Sequence, residues 1–146
     1  MVGDMLNQRY RVVDKLGFRG YSTIWLALDT FLNKYLAVKV GIADASTREI
    51  KVLQALSIQS DPLATHFGRE SIPRVLDEFN LHGPNGAHPC YTTTIARCNL
   101  RSASFCRLFS LEVSRALCAG LALAVAYIHS RGYAHGGVSQ YLLPEH

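Results

Sequence analysis

Lys39 is the one charge in the run Leu36-Ala37-Val38-Lys39-Val40, an apolar stretch of strand length. An ammonium group set in such a run calls for an anion. Upstream, Leu16-Gly17-Phe18-Arg19-Gly20-Tyr21-Ser22-Thr23-Ile24 places Gly17, Gly20 and the hydroxyl of Ser22 between two β-rich segments. Glycine tolerates φ > 0 and lets backbone N–H groups come close to a ligand. A glycine turn beside a strand lysine therefore suits the grip on a polyphosphate, with amides and a hydroxyl as donors and the ammonium as counter-charge. The plain alternative is a β-hairpin with an ordinary glycine turn and a lysine whose stem packs while its amine reaches water.

The elements that would position these groups follow from the apolar pattern. Residues 9–16 alternate loosely and predict a first strand, and Thr23 to Asp29, rich in β-branched and aromatic residues, a second. After the turn Thr30–Lys34 comes a third strand, Tyr35 to Gly41. Pro73–Leu81 and Cys90–Ile95 predict a fourth and a fifth, separated by His82-Gly83-Pro84-Asn85-Gly86, a run dense in turn residues. Between the third and fourth strands, Ser46-Thr47-Arg48-Glu49 has the form of a capping box, and Ile50, Leu53 and Leu56 supply an apolar helical stripe. Glu49 then has two uses open to it: reaching back to the Ser46 amide, or reaching Lys39. Asp44 offers an alternative N-cap. Ser57–Arg69 reads as a loop. Ser102–Phe109 suits a short helix and Leu111–Ser130 a long one, apolar nearly all round and so in need of several neighbours. Gly120 inside it costs about 1 kcal/mol relative to Ala, which predicts close packing there.

Composition narrows the function classes. The chain has 146 residues, 49% hydrophobic and 18% charged, enough for a sizeable core and unlike a disordered segment. A net charge of +4 with no basic run interleaved with aromatics gives direct nucleic-acid binding no support. The first nine residues lack the apolar core of a signal peptide. Cys90, Cys98, Cys106 and Cys118 form no C-x-x-C pair and read as free thiols of a reducing compartment. His88 and Cys90 are near enough to share a metal, but a solvated histidine beside a strand cysteine is the simpler reading. Ala116–Ile128, free of charge, falls short of the roughly 20 residues a membrane span needs. The expectation is a buried helix, no membrane contact and an intracellular protein, cytoplasmic or nuclear.

The glycine turn and the strand lysine together resemble the glycine-rich loop and lysine strand of eukaryotic protein kinases, G-x-G-x-x-G-x-V followed by V-A-I-K. The wording Tyr21-Ser22-Thr23-Ile24-Trp25-Leu26-Ala27 is most similar to the SR-protein kinase-like serine/threonine kinases, fungal type. In that register Gly17 is the first glycine and Ile24 takes the valine position. Ser22 stands at the third glycine, as is usual in the subgroup, while Arg19 replaces the second, with Gly20 beside it. The resemblance implies an α+β fold: a small lobe of a five-stranded antiparallel sheet with one helix, then the first helices of a truncated large lobe. Residues 1–97 would be small lobe and hinge, and 98–146 the start of the large lobe with helices D and E. Glu49 would be the helix C glutamate that pairs with Lys39. Thr93 would be the gatekeeper, and Thr94-Ile95-Ala96 the hinge against an adenine edge. The implied nucleotide contacts are Gly17, Gly20, Ser22, Ile24, Ala37, Lys39, Glu49, Thr94 and Ala96.

The resemblance continues into the segment after the long helix and breaks there. Relatives read H-G-D-[IL]-x-x-x-N in the catalytic loop; His135 and Gly136 match, but Gly137 stands at the aspartate and Leu142 at the asparagine. Glycine accepts no proton and leucine binds no cation. The sequence ends at His146, before a D-F-G segment. The expectation is a kinase-family chain with ATP as a loosely held ligand, no magnesium without its ligands, and no phosphoryl transfer of its own. Two alternatives stand beside it. One is a pseudokinase interaction module without nucleotide, in which Arg19 fills the phosphate space, although the same guanidinium is suited to grip phosphate. The other is a truncated gene product with no independent role, whose apolar helix, left without its cover, promotes association, protein partners included.

Overall fold

The computed structural model describes residues 1–58, 67–96 and 109–134, apart from the side chain of Arg19. The chain divides into two compact units, Met1–Val52 with Arg74–Ile95, and Leu53–Pro73 with Ala96–His146.

The first unit is an antiparallel sheet with the start of one helix. Its strands are β1 (Met5–Leu6), β2 (Tyr10–Arg19), β3 (Ser22–Asp29), β4 (Lys34–Gly41), β5 (Asp77–Gly83) and β6 (Gly86–Thr93), in the order β1-β2-β3-β4-β6-β5. Helix α1 spans Arg48–Ser57. The sheet has six strands, not five. The extra one, β1, folds back on β2 through Asn7 and Gln8, both at positive φ (49° and 53°) as tight hairpins with two left-handed residues demand. Two residues are too few to show a period, which is why no strand was expected there. The predicted strands are all present, but the last hairpin is tighter than expected: β5 runs on to Gly83 and β6 starts at Gly86.

One face of the sheet is the core. Leu6, Tyr10, Val12, Ala27, Leu36 and Val38 are buried together, with Trp25, Val40, Phe79 and Leu81 packed against them. Tyr10 stacks on Phe79 with ring centroids 5.5 Å apart, which brings β2 and β5 together although they are not neighbours in the sheet. The Tyr10 hydroxyl donates to Asp77 at the start of β5.

At the end of β3 lies a buried carboxylate. Asp29 accepts four hydrogen bonds: Arg9 Nε (3.0 Å), Arg9 Nη2 (2.7 Å), and the amides of Phe31 (3.0 Å) and Leu32 (3.2 Å). The two-pronged guanidinium satisfies both oxygens, and the two amides close the turn into β4. The Arg9 hydrogen bond holds the Asp29 carboxyl below its ordinary value near 3.8, against burial, which pushes the other way.

The second unit is organised by helix α2, Leu111–Ser130. The Ser110 hydroxyl caps it by accepting from the Val113 amide at 3.3 Å. A 3-10 turn, Phe67–Ser71, packs against α2. Gly68 in that turn is buried, and a Cβ there would fall 1.9 Å from the carbonyl oxygen of Leu123. Gly120, where close packing was expected, is the opposite case: no atom among the described residues lies within 4 Å of a Cβ built on it.

Helix α2 is also less buried than its composition suggests. It buries Ala124, Tyr127 and Ile128, while Leu111, Val113 and Leu123 are exposed. It has 20 residues and an 18-residue stretch of mean hydropathy 1.6, so by length and composition it is long and apolar enough to cross a membrane, unlike the thirteen-residue segment taken from the sequence. The last turn of α1, which carries no basic residue, has its carbonyls met from outside the helix. Arg131 Nη2 donates to Ala55 (3.2 Å), the Tyr127 hydroxyl to Leu56, and Arg69 Nη2 to Ser57 (2.6 Å). The short helix predicted at Ser102–Phe109 falls almost wholly outside the described residues.

Asp29 sets a pH dependence. Its folded value is depressed, so its contribution is complete above the ordinary carboxylate range and is lost as pH falls through the folded value. Urea midpoints measured from pH 7 to pH 2 should drop most steeply below about pH 4. Asp29→Asn should be less stable at pH 7 and show a shallower acid slope. The two glycines should separate cleanly in thermal or urea melts. Gly68→Ala should destabilise by roughly 1–3 kcal/mol, because backbone must move, whereas Gly120→Ala should stabilise by about 1 kcal/mol.

Candidate functional site

Register places the predicted groups on one stretch of sheet. Gly17 pairs with Ile24 across β2 and β3, Ile24 with Lys39 across β3 and β4, and Lys39 with Tyr91 across β4 and β6. Directly opposed residues share a face, so Ile24, Lys39 and Tyr91 form a row. Ala37, nearly buried, sits two residues before Lys39 and pairs with Thr93.

The glycine turn is tight. Arg19 pairs with Ser22, leaving Gly20 and Tyr21 as its two central residues, and Gly20 takes φ +44°. Gly17 is not at positive φ. It lies in β2 just after a register shift in which Leu16 is the unpaired residue. The turn is tied to the end of β4, where the Ile42 amide donates to the Tyr21 carbonyl (2.9 Å) and Ser22 pairs with Gly41.

Helix α1 meets this row through Glu49. Lys39 Nζ donates to Glu49 Oε1 at 2.6 Å, and the Tyr91 hydroxyl donates to the same oxygen at 3.1 Å. Of the two uses open to Glu49, the structure has the lysine. The Ser46 hydroxyl still serves the helix start, accepting from the Arg48 amide at 3.2 Å. Asp44 is not a cap: it sits at φ +56° in the preceding loop, its amide donating to the Ala87 carbonyl. The Lys39 and Glu49 side chains are 24% and 54% exposed, so their attraction is screened and contributes about 1 kcal/mol at most. Tyr91 is buried. Burial first, and the Glu49 charge second, push its hydroxyl well above the ordinary tyrosine range, so it remains a donor.

Above these groups is a cavity of about 120 Å³ lined by Tyr21, Ser22, Lys39, Ser46, Glu49 and Tyr91 among others. An ammonium, two serine hydroxyls and a tight turn around one space are donors facing a common centre. Donors of this kind can meet an anionic group, and the Glu49 carboxylate lines the same space.

The remaining expectations divide. Thr93 ends β6; Thr94 and Ile95 continue from it, and Ala96 belongs to the second unit. Among the described residues the buried Oγ1 atoms of Thr92 and Thr93 have no hydrogen-bond partner. His135, Gly136, Gly137 and Leu142 lie outside the described residues. No group of three or more metal-ligating side chains occurs among those described. His88 Nδ1 donates to the Gly41 carbonyl (3.0 Å), and burial pushes the Cys90 thiol up to about 11, so this pair is occupied with packing. The residue the sequence reading missed is Tyr91. The only available signal was register: once β4 and β6 pair, Tyr91 faces Lys39.

An antiparallel sheet whose third long strand carries a lysine, paired with a glutamate on the helix that follows it, is the architecture of a protein-kinase small lobe. No protein-family model matches the chain. It is 35% identical over 139 residues, 89% of its length, to serine/threonine-protein kinase spk-1 of Caenorhabditis elegans. It is 36% identical over 90 residues, 61% of its length, to a serine/threonine protein kinase of Aspergillus fumigatus. Against SRSF protein kinase 3 of Mus musculus it is 38% identical over 96 residues, again 61% of its length. By sequence the chain belongs with the SR-protein kinase-like serine/threonine kinases. It spans 14%, 22% and 16% of those three relatives respectively.

Thr92 gives a test of the hydroxyls on β6. A buried hydroxyl without a partner costs free energy that an isosteric methyl does not. Thr92→Val should raise stability by about 1 kcal/mol, read as a higher urea midpoint at unchanged slope.

Proposed function

We propose that the chain is the nucleotide-holding part of a serine/threonine kinase-family fold and does not itself transfer phosphate. The observation that carries the first half is the 2.6 Å contact between Lys39 and Glu49 beside the Ser22 turn. A lysine so held points an ammonium at the space where the phosphates of ATP would lie, with Gly20 and Ser22 offering donors from above. Gly17 and Ile24 would flank the nucleotide, Ala37 would lie against the adenine, and Thr94 and Ala96 would present the backbone edge. The second half rests on Gly137 and Leu142, which stand where the family resemblance requires an aspartate and an asparagine. Without them the catalytic loop lacks the acceptor for a substrate hydroxyl proton and its own magnesium ligand. In this reading residues 1–97 are small lobe and hinge, 98–146 begin the large lobe, and the protein works inside the cell.

A second reading is favoured by one observation, the exposed Leu111, Val113 and Leu123 on α2. Apolar side chains along a helix suit a protein partner, and an interaction module would need no nucleotide.

A thermal-shift titration with ATP and Mg²⁺ decides between them. Binding stabilises the folded state by about 2.7 kcal/mol at a hundredfold excess over Kd, enough for a rise of several degrees. Lys39→Met should abolish the rise. No displacement at millimolar nucleotide would overturn the proposal in favour of the interaction module. Radiolabelled ATP with a basic protein acceptor should give no transfer above background, and clear turnover would refute the inactive half.

A further inference from the structure

The Lys39–Glu49 contact is a poor anchor by itself. Glu49 is more than half exposed and sits on a flexible stem, and Lys39 is a quarter exposed. Water competes for both, and holding two long side chains in one geometry costs conformational entropy. The contact nevertheless shares its acceptor atom with a group of a different kind. Tyr91 is 7% exposed, its ring is fixed in β6 opposite Lys39, and its hydroxyl reaches Glu49 Oε1 from inside the sheet. Its ring also lies 5.6 Å from Lys39 Nζ, within cation–π range. One rigid aromatic residue thus touches both partners and shares its acceptor oxygen with the lysine.

We propose that Tyr91 is a positioning residue that locks Glu49, and through it the start of helix α1, onto the sheet before any ligand arrives. The lysine amine is then set toward the cavity, and ligand binding has no helix movement to drive. The lock stands on the Tyr91–Glu49–Lys39 contacts; its effect on nucleotide rests on the function proposed above. The bond is long for its kind at 3.1 Å, but its acceptor is charged and its donor ring is fixed by burial, and a phenol this far from its ionisation keeps donating across the working pH range.

The test is hydrogen exchange on the full chain, read on the peptide covering α1, for wild type, Tyr91→Phe, Glu49→Ala and the double variant. Tyr91→Phe keeps the ring and its packing and deletes only the hydroxyl. Exchange should speed up about tenfold in each single variant, and the double variant should be no faster than either. Lys39→Met, which leaves the hydroxyl in place, should speed exchange by less than Tyr91→Phe. Wild-type protection in Tyr91→Phe, or effects that simply multiply in the double variant, would overturn the proposal. Should Tyr91→Phe melt out of the measurable range, Lys39→Met against Glu49→Ala still decides. Equal loss in those two would mean that the lysine is the anchor. Titration with a fluorescent ATP analogue gives the consequence: affinity should fall several-fold in Tyr91→Phe and not at all when Glu49 is already alanine. Absence of binding in every variant, with the exchange pattern intact, would refute the nucleotide pocket and leave the lock standing.

Discussion

A carboxylate on a helix can meet an ammonium on a strand only if the helix start and the sheet are held at a fixed separation. That constraint governs the first unit. The connection from Gly41 to Arg48 is short, and the Asp44 amide pins it to β6 through Ala87. The Ser46 hydroxyl then sets where the helix begins, which puts Glu49 in its first turn, facing Lys39. Had α1 begun two residues later, at Ile50, Glu49 would have preceded the helix instead of sitting in its first turn. The charge pair is therefore an outcome of backbone bonding around it, more than a cause of it.

Which parts of this were readable beforehand depends on how far apart the interacting residues lie. Lys39 among apolar neighbours, the Gly20 turn and the stripe Ile50, Leu53, Leu56 are local patterns, and each produced the expected element. The choice between Ser46 and Lys39 for Glu49 was not local: both are compatible with the same residues, and only the sheet's position decides. Tyr91 was invisible for the same reason. In the sequence it is one aromatic among threonines, and it acquires a role only when β6 pairs with β4. The Arg9–Asp29 contact needs β2 and β3 in register, and neither residue stands out without it.

The glycines make the point from the other side. Gly20 is required by a turn, Gly68 by a carbonyl oxygen belonging to a different helix, and Gly120 by nothing among the described residues. Their surroundings in the sequence do not distinguish the last two. A mid-helix glycine suggests a close neighbour, yet the close neighbour of α2 sits over Leu123 and the glycine belongs to the other partner. Composition likewise overstated how deeply α2 is buried. An all-round apolar helix asks for cover, and the described part of the second unit supplies it along one side only.

The last turn of α1 carries a consequence for the order in which the chain folds. Its carbonyls are met by Arg69, Tyr127 and Arg131, and the latter two lie 71 and 76 positions further along the chain from their acceptors. Closing loops of that length is slow compared with winding a turn of helix, which takes well under a microsecond. During synthesis and early collapse, Leu56 therefore bonds to water and Ala55 has only the long bond from the Ile58 amide (3.4 Å), and the helix frays at this end. Completion of α1 waits for α2, so a helix that looks like a local element acquires its final turn only with the long-range topology.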